Sequence, residues 1–165
     1  MATLTKLESK IAEVLGLAMA SQEAVDTVSD MLDDDEHALT ATLDQMRDDA
    51  RETQQRCTEV AGTFDRKKTA IVAAAKETKA EAVEMMETYL EGEDEALDGF
   101  EFLTMAEAGE VGHWLVVSVL NQKAQNPQVG ALADWAIAIQ QRHFQDVLDA
   151  SVQLAGDEDP DEPDD

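Results

Sequence analysis

The feature that most constrains the fold is a repeat of apolar residues at alternating steps of three and four along most of the chain. In the first segment, residues 3–32, the repeat runs through Leu4, Leu7, Ile11, Val14, Ala18, Ser21, Val25, Val28 and Leu32. This spacing puts the side chains on one stripe of an α-helix that packs in a bundle. Comparable stripes occupy the segments at about 36–63, 66–91, 95–125 and 127–155. The pattern therefore predicts five helices.

The loops between these segments are short, which favours antiparallel neighbours. The third segment is the least apolar, so we expect it to lie against the side of the other four. The sequence predicts an all-α fold, an up-down four-helix bundle with an additional fifth helix. This domain would span residues 1–156. The remaining stretch, 157–165, holds seven acids and two prolines and is predicted to be a disordered acidic tail.

The net charge of −25 excludes some classes of partner. Without the last nine residues the chain still has 30 acids against 12 bases, a net charge of −18. Such a surface repels phosphates, so we expect no nucleic-acid binding. Two interpretations of the acidity stay open, a solvated surface adapted to a salt-rich cytoplasm and an attraction for cations.

No apolar run of 18 residues or more occurs, so no membrane span is expected. The N-terminus also lacks the continuous apolar stretch of a signal peptide. The single cysteine, Cys57, has no partner for an internal disulfide. These observations together predict a cytoplasmic protein.

One pattern points to metal chemistry. Glu110-x-x-His113 puts a carboxylate and an imidazole one helical turn apart, at positions expected to face the core. Di-iron bundles use Glu-x-x-His on two helices and a lone Glu on each of the other two. His143 offers a second imidazole, with Gln140 where that motif would place Glu. The best candidate ligands are Glu110, His113 and His143, and the weaker candidates are Glu107, Asp49 and Gln140.

The alternative is that these residues are satisfied core polar groups that fix helix register. Ser21 and Thr53 stand where a di-iron protein would place ligands on the first two helices. The sequence therefore predicts a partial or lost site, which binds iron, manganese, zinc or no metal. No Ser-His-Asp order, phosphate-binding loop or Cys-x-x-Cys is present. A non-enzymatic role is favoured.

The stretch 94–155 resembles the YciE/YciF-type ferritin-like proteins, small bacterial bundles associated with stress. The resemblance rests on Asp98-Gly99-Phe100-Glu101-Phe102 followed by Val111-Gly112-His113-Trp114, which is similar to the family's Val-Glu-His-Tyr-Glu segment. The resemblance implies a ferritin-like fold, and His113 is the site residue of the family that this chain retains.

Several family positions differ in this chain. Gly112 and Leu115 stand where the family has glutamates, and Gln140-Gln141-Arg142 replaces a Glu-Glu run of the family. On the second helix, Met46 stands near the position of the family's histidine. The expectation is a ferritin-like protein of stress-related or unknown role with a reduced metal site. The alternative is a non-catalytic structural or interaction protein, as a monomer or a homo-oligomer.

Overall fold

A computed structural model describes residues 2–33 and 35–161 of the chain. Within them the chain forms five α-helices and no β-strand, which confirms the predicted all-α class. The helices are α1 (Lys6–Ser29), α2 (His37–Ala61), α3 (Lys68–Tyr89), α4 (Ala96–Ala124) and α5 (Pro127–Asp157). Each predicted segment contains one helix, and α5 continues beyond the predicted end at residue 155.

Local capping chemistry fixes two of the helix starts. At α1, Thr5 Oγ1 accepts a hydrogen bond from Glu8 N at 3.3 Å, and Thr5 N donates to Glu8 Oε2 at 2.7 Å. This reciprocal pair is a capping box. At α5, Asn126 Oδ1 accepts from Gln128 N and Val129 N, and Pro127 occupies the first helical position. The turn between α4 and α5 is therefore tight, and it joins the two helices as a hairpin.

Two apolar clusters define how the helices are arranged. One gathers the first half of α1, the end of α2, the start of α3, the second half of α4 and the start of α5. The other gathers the opposite ends of the same five helices. Helices α1, α2, α5 and α4 therefore form a ring in which each neighbour runs antiparallel, and α3 lies outside the ring along α1.

The contact between α1 and α3 is unusually close at Gly16. A Cβ atom built on Gly16 would lie 2.7 Å from Thr78 Cβ and would also collide with the carbonyl oxygen of Ala75. Only a residue without a side chain fits this crossing. The position of α3 on α1 thus depends on one glycine in the first helix.

No helix in residues 2–33 and 35–161 is long and apolar enough to cross a membrane. The predicted tail, 157–165, begins at Asp157, which is the last residue of α5. Residues 162–165 of that tail lie outside the described part of the chain.

Candidate functional site

A layer of polar side chains lies between the two apolar clusters, at mid-height of the four-helix ring. All four helices of the ring contribute to it. Its buried members are Ser21 on α1, Asp49 and Thr53 on α2, Glu107 and Glu110 on α4, and Gln140 and His143 on α5. Buried polar groups are costly unless they are paired, so their hydrogen bonds decide what this layer can do.

His143 links two carboxylates across the interior. Its Nε2 lies 2.9 Å from Asp49 Oδ2, and its Nδ1 lies 3.6 Å from Glu107 Oε2. The second distance suits an ion pair but is too long for a hydrogen bond. Burial lowers the pKa of His143, but the Glu107 and Asp49 carboxylates raise it more, so its pKa lies above the ordinary 6.5. The protonated imidazole compensates both acids.

Asp49 has further partners at the edge of the layer. Gln45 Nε2 donates to Asp49 Oδ1 at 3.1 Å, and the Arg142 guanidinium pairs with Asp49 Oδ2. Both oxygens of this carboxylate are therefore satisfied, and its charge is balanced by a neighbouring cation.

Glu110 is in a different state. It accepts a hydrogen bond from Gln140 Nε2. Burial raises the pKa of Glu110 well above its ordinary range, the charge of Glu107 raises it further, and a hydrogen bond with Ser21 acts in the opposite direction. Glu110 therefore tends to remain a neutral carboxylic acid. Burial, assisted by Glu110, also raises the pKa of the Cys57 thiol, so Cys57 is an inert core residue.

Glu107 is the residue of this layer whose hydrogen bonds are incomplete. Its side chain is 1 % exposed, yet its Oε2 has no hydrogen-bond partner. A buried carboxylate oxygen without a donor costs free energy, and such an atom in a folded protein calls for an explanation.

A pocket of about 180 Å³ opens beside this carboxylate, between α1, α3 and α4. Its polar wall consists of Ser21, Glu107, Glu110 and the partly exposed His113, and the rest is mostly apolar, including Ala20, Ala24, Met85, Met86, Phe102 and Leu103. An apolar pocket with a few convergent polar groups is typical of a small-molecule site.

The structure brings five of the six predicted ligands together in the polar layer, and the sixth, His113, lies outside that layer at the wall of the pocket. Glu107, Glu110, Asp49, Gln140 and His143 all lie in the polar layer. The expectation that His113 faces the core beside Glu110 is wrong. Its side chain is 40 % exposed, and its Nδ1 lies 3.2 Å from Glu13 Oε2 on α1.

The physical reason is the register of α4. Its buried stripe runs through Leu103, Glu107, Glu110, Trp114, Val117 and Asn121, in steps of four and three rather than three and four. The alternative register would have exposed the Trp114 indole, which is fully buried. Burying this large side chain removes more apolar surface from water than burying the imidazole does.

Two features of the site follow only weakly or not at all from the sequence. The spacing predicts Glu107 as a weaker candidate than Glu110, although the Trp114 stripe passes through it. The pocket depends on the position of α3 relative to α4, and no sequence pattern predicts that position. Small side chains on α1 at positions 20 and 24 were the available signal, because they leave space between helices.

Comparisons of the chain with protein-family models, with curated protein sequences and with solved structures found no match. The resemblance to YciE/YciF-type proteins therefore stays a prediction.

The donor set does not fit a dinuclear metal centre. Such a centre needs four carboxylates and two histidines, and only one histidine is buried here, with Ser21 and Gln140 as neutral neighbours. Within residues 2–33 and 35–161, no group of three or more His, Cys, Asp or Glu side chains could hold a metal ion.

Proposed function

We propose that this protein is a ferritin-like bundle that binds a small apolar molecule carrying a positively charged nitrogen. The site is the pocket between α1, α3 and α4, and Glu107 recognises the charge. The observation that carries the proposal is that Glu107 lines an apolar pocket while its Oε2, which lies 3.6 Å from His143 Nδ1, has no hydrogen-bond partner.

The ferritin-like assignment is supported by the ring of α1, α2, α5 and α4, with α3 outside it. In ferritin-like proteins functional side chains project into the bundle core from facing helices. The polar layer has this position, with at least one buried polar residue from each helix of the ring.

The size and lining of the pocket define the ligand class. An apolar cavity of about 150 Å³ accommodates a benzene molecule, so a pocket of about 180 Å³ suits one ring with a short substituent. The apolar wall favours the ring, and an ammonium group would donate a hydrogen bond to the Glu107 carboxylate, whose Oε2 has no hydrogen-bond partner. A hydrogen bond to a charged group contributes about 1.5–3 kcal/mol.

Glu110 adds a regulatory element to this site. Because Glu110 tends to stay protonated beside Glu107, at low pH it carries no negative charge that would attract a cation. When it ionises, a second carboxylate faces the same pocket. Affinity for an ammonium ligand should therefore increase as the pH rises while the ligand stays protonated.

Calorimetric titration with benzylamine and with benzyl alcohol tests the proposal. The two probes have similar size, but only the first is charged at neutral pH. We expect benzylamine to bind at least about tenfold more tightly, a difference of about 1.4 kcal/mol, and Glu107→Gln to abolish that preference. Glu84→Gln, at an exposed glutamate on α3, is the matched control and should retain it. Equal affinity of the two probes for the wild-type protein would contradict the proposal.

A metal ion is a second candidate ligand, favoured by the orientation of His143. Asp49 holds Nε2, and Nδ1 faces Glu107 Oε2 at 3.6 Å. Metal-binding histidines commonly have the other ring nitrogen on a carboxylate, and two atoms bonded to one ion at about 2.0–2.2 Å have a comparable separation. Glu107 and His143 would supply two of the ligands of this ion, and iron, manganese or zinc stay the predicted metals.

Elemental analysis of untagged protein separates this candidate from the first. If a metal binds, His143→Ala should lose it and His113→Ala should retain it. Equal metal content in wild-type protein and His143→Ala would exclude this site, whatever the outcome of the benzylamine titration.

A further inference from the structure

The outward face of α4 is apolar, in a protein whose net charge is −25. From residue 102 to residue 122 the acids of this helix are Glu107 and Glu110, and both are buried. The solvent side of the same stretch exposes Met105, Leu115, Val116 and Val119, the last by 57 %. An exposed apolar stripe on an acidic surface marks an interaction site.

The stripe has the spacing of a second helix-packing seam. Met105, Gly109, Gly112, Val116 and Val119 follow in steps of four, three, four and three, on the side of α4 opposite its buried stripe. This is the spacing with which one helix packs against another. Within the described part of the chain, α4 has no helix over this face.

The seam contains two glycines, Gly109 and Gly112, of which Gly109 also lines the pocket. A Cβ atom at Gly109 or Gly112 would meet nothing within 4 Å. Glycine inside a helix costs about 0.5–1 kcal/mol relative to alanine, and here no intramolecular contact requires it. Glycine at these positions does permit the backbone of an external helix to approach closely.

Charges at the two ends of the stripe indicate which helix fits. Glu101 and Lys123 are exposed, lie at equal distances in sequence from Gly112, and form no ion pair within residues 2–33 and 35–161. If a second α4 crosses antiparallel with its two-fold axis at Gly112, each Glu101 meets the partner's Lys123. Each Met105 then meets the partner's Val119. A parallel pair would bring like charges together.

We propose that the α4 seam is the interface of an antiparallel homodimer with its two-fold axis at Gly112. A second copy of this chain is the partner because the seam is complementary to itself in both shape and charge. The apolar surface continues from Met105 to Met85 and Tyr89 on α3, which enlarges the area available. Between Glu101 and Lys123 this face of α4 carries no exposed acid, so the repulsion between two acidic subunits is reduced there, while Glu81 and Glu84 border the α3 part of the surface. Met85, Met105 and Gly109 also line the ligand pocket, so the dimer is to be tested on protein without ligand.

Sedimentation velocity of the full chain at low salt and at molar salt tests the dimer. We expect twice the 18.0 kDa chain mass, with a stronger dimer at high salt because the acidic bodies are screened. Val119→Glu should give a monomer. Val152→Glu, on α5 at a position 68 % exposed, is the matched control and should remain a dimer. A wild-type monomer in both salts, or a dimer unaffected by Val119→Glu, would overturn the proposal.

Charge exchange tests the orientation. Lys123→Glu and Glu101→Lys should each weaken the dimer at least tenfold at low salt, because each creates two like-charge contacts. The double variant should recover the wild-type dissociation constant. Failure of the double variant to recover it would exclude the antiparallel register.

Cross-linking provides an independent measurement. Gly112→Cys should form a covalent dimer under mild oxidation, since the two-fold axis brings both copies of residue 112 together. Val152→Cys should not, and the buried Cys57 does not interfere. Equal cross-linking of the two variants would contradict the interface.

Discussion

His143 Nε2 on α5 lies 2.9 Å from Asp49 Oδ2 on α2. This contact joins two helices that are far apart in sequence, and it does so at the level where the apolar core is interrupted. Because the other ring nitrogen faces Glu107 on α4, one imidazole holds three helices in register. The stability of the bundle should therefore depend on this residue more than on any exposed charge.

Replacing His143 with leucine should destabilise the protein by about 3–5 kcal/mol, because Asp49 and Glu107 would lose the buried cation between them. His113→Leu is the matched control. It removes a half-exposed pair with Glu13 and should change stability by less than about 1 kcal/mol. Urea unfolding followed by circular dichroism measures both. Similar losses in the two variants would mean that the imidazole of His143 has no special role in the core.

The pH dependence of stability should change in Glu110→Gln. The folded state raises the pKa of Glu110 above the ordinary 4.5, so the folded protein binds a proton that the unfolded chain releases. Stability therefore falls as the pH rises from 4.5 towards the folded-state pKa, by up to about 1.4 kcal/mol per pH unit. The raised pKa of His143 acts in the same direction above pH 6.5.

Unfolding free energies of wild-type protein and Glu110→Gln across this pH range provide the measurement. The free energy of unfolding of Glu110→Gln, relative to that of the wild-type protein, should increase as the pH rises, because glutamine has no proton to lose. Two parallel curves would show that Glu110 ionises in the folded protein as it does in the unfolded chain.

Gly16→Ala tests the crossing of α1 and α3. The added methyl group would collide with the α3 backbone at Ala75 and with Thr78, and overpacking of this kind costs about 1–3 kcal/mol. Gly156→Ala, at a helical glycine where a Cβ meets nothing within 4 Å, should leave stability unchanged or raise it by up to about 1 kcal/mol. Thermal unfolding compares them. An unchanged melting temperature in Gly16→Ala would show that α3 is not held at this crossing.

The number of helices and most of the α1 and α2 stripes follow from the sequence. Ile11, Val14, Val25 and Leu43 are buried as their spacing predicts. The stripe of α1 is wider than expected, since Ala12, Leu15 and Ala24 are buried as well. This helix has three neighbours, α2, α3 and α4. The spacing of apolar residues along one helix does not reveal how many helices surround it.

The spacing of apolar residues along α4 does not decide the register of this helix. Two stripes, one through His113 and one through Trp114, fit the heptad spacing about equally well, and they differ by one residue. The choice depends on packing volume, which favours the indole. Trp114 is completely buried in this register. Trp135 is half-buried instead and lies under the Arg56 guanidinium, 4.2 Å from the ring centroid.

The central claim is that the pocket beside Glu107 binds an aromatic ammonium compound, and methyl-methionine NMR tests it directly. Met85, Met86 and Met105 line the pocket, whereas Met46 lies in the core outside it. Titration with benzylamine should shift the three pocket methyl signals saturably, leave Met46 unchanged, and give much smaller shifts in Glu107→Gln. Absence of saturable shifts in the wild-type protein, or equal shifts in Glu107→Gln, would contradict the claim.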